Sequence, residues 1–226
     1  MMGTIITMKR KVIVLVSGGL DSVCALYEAA AAHEVVAGLS FSYGAKHNHR
    51  ELPLAAMHCH RLGIRHETVR LNCIGELFNS ALLKNGVPVP DSHFNAPAMK
   101  QTIVPFRNGI FLAMAAGYAE SVGAGAVVIA AHADDHVIFP DCRPEYLDAM
   151  ATAIRLGTDS RVKILRPFIR CSKAQIVKRG RKLGINLAET WTCYKGGKHH
   201  CGTCGACVER REAFAASKIP DLTMYL

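Results

Sequence analysis

No stretch of this 226-residue chain approaches eighteen consecutive apolar residues, so none reads as a membrane-spanning helix. The basic Lys9-Arg10-Lys11 precedes an apolar run, but that run ends at Val16, too short for the core of a signal peptide. The expected setting is therefore cytoplasmic. Neither G-x-x-x-x-G-K-[ST] nor G-x-G-x-x-G occurs, which sets aside the Walker loop and the dinucleotide fingerprint. Repeats and low-complexity tracts are missing too. Aromatics are scarce, at 7% with a single Trp. Acids are scarce locally: between positions 161 and 200 there are eleven Lys or Arg and one acid, Glu189. That basic field belongs to a net charge of +9 and would draw a polyanion. Without aromatic interleaving, ATP or pyrophosphate is a better guest than nucleic acid.

What is present begins at residues 12–26, VIVLVSGGLDSVCAL. An unalternating β-branched run predicts a strand buried on both faces, hence a parallel sheet. Val23, Leu26 and Tyr27 then recur at helical spacing. Between them, S-G-G-x-D-S forms a tight loop whose glycines permit φ > 0 and close approach. Its amides and the first helical turn predict an anion site, with phosphate as guest.

Strands and helices alternate along the rest of the chain. Strands are expected at 11–16, 34–41, 66–71, 126–131 and 162–165. Helices are expected at 20–32, 47–62, 107–122, 144–156 and 173–183, the last opened by a capping box of Ser172 and Gln175. Residues 73–105 carry Pro88, Pro90, Pro97 and Pro105 and are expected to form a loop or lid over a site. The pattern predicts an α/β, doubly wound parallel sheet, with ligands beyond the carboxyl ends of its strands. Residues 1–7 are expected to be a disordered extension, with Met8 a candidate start. Residues 8–186 form the α/β domain and 187–226 a metal-binding segment.

Nine cysteines without an export signal suggest thiols and metal rather than disulfides. Cys24, Cys59, Cys73, Cys142 and Cys171 are scattered and expected to pack as small apolar residues. Cys193, Cys201, Cys204 and Cys207 are spaced C-x7-C-x2-C-x2-C. Four thiolates suit tetrahedral Zn²⁺ in a closed, structural site that pins a segment lacking its own core. An iron–sulfur cluster is the alternative, though the C-P of bacterial ferredoxins is missing. His199 and His200 are alternative ligands, and Trp191 is expected in the core.

The SGGLDS loop resembles the pyrophosphate-binding loop of the ATP pyrophosphatases. With FPDCRPE, SYGAKHNHREL, VPFRNGIFLAMAAGYAE, SKAQIV and the four cysteines, the chain resembles the 7-cyano-7-deazaguanine synthase family over roughly residues 10 to 210. The resemblance implies an adenine nucleotide alpha hydrolase-like fold, ATP, Mg²⁺, one structural zinc per chain and a homodimer. It implies that 7-carboxy-7-deazaguanine is adenylated, converted by ammonia to the amide, and activated again to leave the nitrile. Implied ATP contacts are Val16, Ser17, Gly18, Gly19, Leu20, Asp21, Ser22, Val23, Cys24, Ala25 and Leu26. Ser17, Asp21, Ser22 and Lys173 are the candidate catalytic residues, with Asp21 orienting the loop or helping hold Mg²⁺. Arg107 and Arg143 are candidate clamps for a phosphate or the substrate carboxylate. Tyr43 and His47 are candidate lining residues. Asp134, Asp135 and Asp141 are alternatives for reading the guanine-like edge, each with helix capping as the plainer role.

Three other readings remain open here. A tRNA-thiolating enzyme would use the same loop with Cys142 as nucleophile. A zinc-stabilised nucleic-acid-binding module would use the basic field but leave SGGLDS unexplained. The same adenylation could also serve a protein amine as acceptor.

Overall fold

In the computed structural model, residues 9–93 and 97–226 are described; the expected extension at residues 1–7 lies outside them. Five parallel strands form one sheet: β1 (Lys11–Leu15), β2 (Glu34–Ser42), β3 (His66–Arg70), β4 (Ala126–Val128) and β5 (Lys163–Leu165). Their order is β3-β2-β1-β4-β5. The chain winds outward from β1 to β3, then returns to lay β4 on the other side of β1. The carboxyl ends of β1 and β4 therefore flank the topological switch point.

The β-branched run explains the central strand. Val12 and Val14 point into a core completed by α1 (Leu20–Ala32), α2 (Asn48–Arg61), α6 (Lys173–Lys182) and α7 (Gly205–Ser217). Ile13 points the other way, towards Leu112 and Ala115 of α4 (Arg107–Ser121) and Leu147 and Ile154 of α5 (Pro144–Gly157). A strand with apolar side chains on both faces must be covered on both, so the sheet is doubly wound. The capping box at Ser172 and Gln175 opens α6, with Ser172 N–H donating to Gln175 Oε1 at 2.9 Å.

Three expectations need correction. β4 stops at Val128 rather than residue 131, because Ile129, Ala130 and Ala131 turn away to line a cavity. Of residues 73–105, expected as a loop or lid over a site, none of the described ones lines that cavity. They hold α3 (Asn72–Leu77) and a 3-10 turn (Pro97–Thr102), bury Leu82, Leu83 and Met99, and pair Asp91 with Cys204. The third is α7, a helix within a segment whose sequence pattern predicts none. Its Ala213 and Phe214 join the first core, while Cys193, Cys204 and Cys207 join the second. The C-terminal segment thus borrows both cores of the sheet.

Candidate functional site

A cavity of about 220 Å³ opens at the switch point. The loop after β1, the end of β2, the turn after β4 and the C-terminal segment all reach it. Gly18 takes φ 98°, and a Cβ there would run into the Glu51 carbonyl. The loop therefore lies directly on α2. Trp191 N–H donates to Gly18 O at 3.0 Å from the other side. Within the loop, Ser17 N–H donates to Ser22 Oγ and Gly19 N–H to Ser17 Oγ, each at 3.1 Å. Two amides expected to point outward are thus turned onto the loop's own hydroxyls. The N-terminus of α1 carries no side-chain cap, which leaves its first amides for an anion.

Beside the loop lies an ionic cluster. Lys173 is buried and places Nζ 3.1 Å from Asp21 Oδ2 and 2.6 Å from Glu209 Oε2. His132 Nε2 stands 3.6 Å from Asp21 and 3.5 Å from Asp135. Burial opposes charge on Asp21, His132, Lys173 and Glu209, and the partners overcome it in the first three. Lys173 and His132 hold the Asp21 carboxyl below the usual range, and Asp21 with Glu209 holds Lys173 well above its own. Asp135 and Asp21 hold His132 up at about 9. In Glu209, burial wins and pushes the carboxyl up. Asp21 Oδ1, His132 Nδ1 and Glu209 Oε1 are buried without a hydrogen-bond partner. One donor atom each of His132, Asp134 and Glu209 lies within 4.8 Å of the others. The orphaned carboxylate oxygens of Asp21 and Glu209 fit a divalent cation.

The opposite wall holds Tyr43, His47, Glu51 and Arg107. Arg107 donates to Tyr43 Oη at 3.2 Å, and Phe41 stacks on Phe111 with centroids 4.0 Å apart. His47 is buried, and burial with nearby Arg107 depresses it to about 4. Burial pushes Glu51 up to about 8 against the pull of Arg107.

The sulfurs of Cys193, Cys201, Cys204 and Cys207 lie within 4.8 Å of one another. Cys201 N–H donates to Cys193 Sγ and Cys204 N–H to Cys201 Sγ, at 3.4 and 3.2 Å. Amides aimed at sulfur favour thiolates, so the set fits a closed metal site. His200 accepts from Thr192 N–H through Nε2 at 3.1 Å.

The residues match the model of the family described as "Queuosine biosynthesis protein QueC" over residues 11–218. The chain belongs to the QueC family. The 7-cyano-7-deazaguanine synthase of Desulfotalea psychrophila is 50% identical over 214 residues, covering 95% of this chain and 98% of that protein. The enzyme of the same name from Porphyromonas gingivalis is 49% identical, covering 94% and 96%. Among solved structures, the U34-tRNA thiolase NcsA from Methanococcus maripaludis superposes with a TM-score of 0.54 at 13% identity, covering 95% of this chain and 67% of that one. The NMN synthetase of Francisella tularensis gives 0.53 at 14%, covering 95% and 79%. At those identities the likeness is one of fold, the adenine nucleotide alpha hydrolase-like α/β fold.

In this QueC-family chain Val16, Ser17, Gly19, Leu20, Asp21 and Ser22 line one cavity with Lys173, Tyr43, His47 and Arg107, whereas Gly18 is not among its lining residues and Val23, Cys24, Ala25 and Leu26 are buried in the core behind the loop. Asp134, Asp141 and Arg143 are not among its lining residues. Asp141 Oδ2 accepts from Asn108 N–H at 2.8 Å and Asp134 Oδ2 from Lys173 N–H at 2.8 Å, so both satisfy first-turn amides of helices. Arg143 Nε donates to His136 O at 3.0 Å. Of the three aspartates only Asp135 faces the cavity. Trp191 is 8% exposed, contributes to the cavity wall and packs on His200 with centroids 4.3 Å apart. Glu51, Glu209 and Tyr194 line the cavity but were not singled out from sequence. Only Glu51 carried a local signal, four residues after His47 in SYGAKHNHREL.

Proposed function

We propose that this protein makes 7-cyano-7-deazaguanine from 7-carboxy-7-deazaguanine, ammonia and ATP, as an ATP-dependent carbon–nitrogen ligase. The observation carrying this reading is the cavity itself. An SGGLDS loop, an unpaired helix N-terminus and a buried lysine meet at the switch point, in a chain half identical to enzymes bearing that synthase name.

A carboxylate resists attack by ammonia until its oxygen becomes a good leaving group. Transfer of AMP to that oxygen expels pyrophosphate, and ammonia then expels AMP. The amide oxygen takes a second AMP, which departs as two N–H protons leave and the nitrile forms. The protein needs no nucleophile of its own, only positioning and charge stabilisation. In this reading residues 16–26 hold ATP. Phosphate oxygens take the amides of Ser17 and Gly19 over from the serine hydroxyls, and Lys173 neutralises the pyrophosphate. Mg²⁺ would be held by Asp21 with Glu209, whose orphaned oxygens lie there, and would spread the phosphate charge. The stacked Phe41–Phe111 wall and Asp135 receive the deazaguanine, and Arg107 its carboxylate. Zinc at the four cysteines is structural. In this reading the protein works in the cytoplasm, and the family resemblance supports a homodimer.

Thiolation through Cys142 is disfavoured by its setting. That thiol is buried, accepts from Asn108 Nδ2 at 3.2 Å, and is pushed well above its usual range by burial.

The test mixes protein with ATP, Mg²⁺, ammonium and 7-carboxy-7-deazaguanine and follows products by mass spectrometry, with a Ser17→Ala, Asp21→Ala control. Nitrile and AMP are expected, both lost in the control. AMP without nitrile would move the acceptor to another amine. Neither product from folded, zinc-loaded protein would overturn the reading.

A further inference from the structure

Every step after adenylation takes protons off nitrogen. Ammonia attacking the acyl carbon becomes a cationic nitrogen that must lose one proton as AMP leaves with its bonding pair. Conversion of amide to nitrile removes the remaining two as the carbon–oxygen bond to AMP breaks. The cavity therefore needs a group able to accept a proton near neutral pH and return it to solvent.

Most ionisable groups at the cavity are committed elsewhere. Lys173, Asp21, Glu209, His132 and Asp135 are locked together in the ionic cluster. Arg107 is permanently cationic. Burial pushes the Tyr43 and Tyr194 phenols up, and His47 is held neutral and only weakly basic.

Glu51 differs. It lies on α2 one turn beyond His47, whose Nε2 is 3.6 Å from Glu51 Oε2. Among the described residues no lysine or arginine comes within ion-pair distance of its carboxyl. Its Oε1 is 3.4 Å from where a Cβ on Gly19 would stand, so the carboxyl borders the anion loop. The side chain is 14% exposed, enough to exchange protons with solvent. The titratable and charged groups sharing its cavity are Tyr43 just after β2, Arg107 on α4, Asp21 in the loop, Asp135 after β4, Tyr194 in the C-terminal segment, Cys142, and Lys173 with Glu209.

We propose that Glu51 is the proton acceptor for the nitrogen chemistry of this site, with His47 as its positioning residue. The inference rests on the synthase reading above. Its placement beside the loop also times the base. A carboxylate next to bound phosphates is repelled by them, so Glu51 stays protonated while ATP is bound. Departure of pyrophosphate removes that charge and lets the proton go to solvent. The carboxylate is then free when ammonia attacks. Burial places its proton affinity where both forms are populated near neutral pH.

The experiment compares wild type, Glu51→Gln and Glu51→Asp in two assays. The first is substrate-dependent exchange of labelled pyrophosphate into ATP, which reads adenylation alone. The second is amide and nitrile formation across pH 6 to 9. Glu51→Gln is expected to keep exchange within a few-fold while product formation falls on the order of 100-fold or more, the usual scale for a lost general base. Its kcat profile should lose the acid limb shown by wild type, and Glu51→Asp should restore both limb and part of the rate. Product formation in Glu51→Gln at wild-type rate would overturn the inference, as would loss of exchange and product together from folded protein. Wild type without any exchange would instead overturn the synthase reading, and this inference with it.

Discussion

At the scale of single residues, the site is a set of mutual debts between charges. Lys173 is buried between Asp21 and Glu209, with the bonds to both short. Lys173→Met should leave those two carboxylates facing each other without their cation. Breaking such a buried pair costs about 3–5 kcal/mol, so a clear drop in the urea midpoint is expected. Adding Glu209→Gln should recover part of that loss, and strict additivity would show that the pair is not coupled. Gly18→Ala faces two obstacles: φ 98° and the Glu51 carbonyl. Left-handed backbone alone costs an L-residue about 1–2 kcal/mol, and the clash forces loop and α2 apart. A fall in melting temperature with loss of pyrophosphate exchange is expected; an unchanged melt would show that the loop accommodates the methyl. The loop's place at the cavity was legible in sequence because its spacing is local: strand, glycines, aspartate and serine lie within a dozen residues. Glu209 was not, because its partner Lys173 is 36 positions away. The aspartates were half legible. Both capping and base recognition want a carboxylate near a turn; the fold shows that all three cap, and that only Asp135 also lines the cavity.

At the scale of elements, the cysteine cluster does more than close a terminus. Trp191 and Glu209 flank it in sequence, and both reach the surroundings of the SGGLDS loop: Trp191 through Gly18, Glu209 through Lys173. Buried Arg210 ties the same stretch together, donating to Thr190 Oγ1 at 2.9 Å, Thr192 Oγ1 at 3.1 Å and Leu187 O at 2.8 Å. Stripping the metal with a chelator, or Cys204→Ser, should therefore loosen α7 and the loop contact together. Hydrogen exchange is expected to rise across residues 205–217 and at Trp191, and ATP affinity to fall. Faster exchange confined to residues 193–207, with ATP binding intact, would make the metal purely local. This helix was illegible in sequence because Gly205 and three ligating cysteines at its entrance resemble a loop. Residues 73–105 misled in the opposite direction. Four prolines suggest an open excursion, yet Leu82, Leu83 and Met99 fold into the core and Asp91 braces the cysteine loop through Lys195 and Thr203, each at 2.6 Å.

For the whole molecule, the shifted groups set how stability should vary with pH. Asp21 is depressed below 3.8, so the unfolded chain gains a proton there that the folded chain refuses, and stability falls as pH drops through the acid range. Between 4.5 and 6.5 opposing effects meet. His47 and His200, each near 4 when folded and 6.5 otherwise, and His58 and His66, both lowered by burial, make stability rise with pH. Glu51, near 8 when folded and 4.5 otherwise, and Glu209, raised by burial, make it fall. Above 6.5 only the losing side remains. The folded chain holds protons on Glu51 up to about 8 and on His132 up to about 9 that the unfolded chain has released. Each such proton costs at most ~1.4 kcal/mol of stability per pH unit. Metal-loaded protein should therefore lose its urea midpoint steadily from pH 6.5 to 9, with Glu51→Gln falling less steeply up to about 8. A wild-type midpoint that rises over that interval would mean that Glu51 and His132 are already deprotonated in the folded cavity.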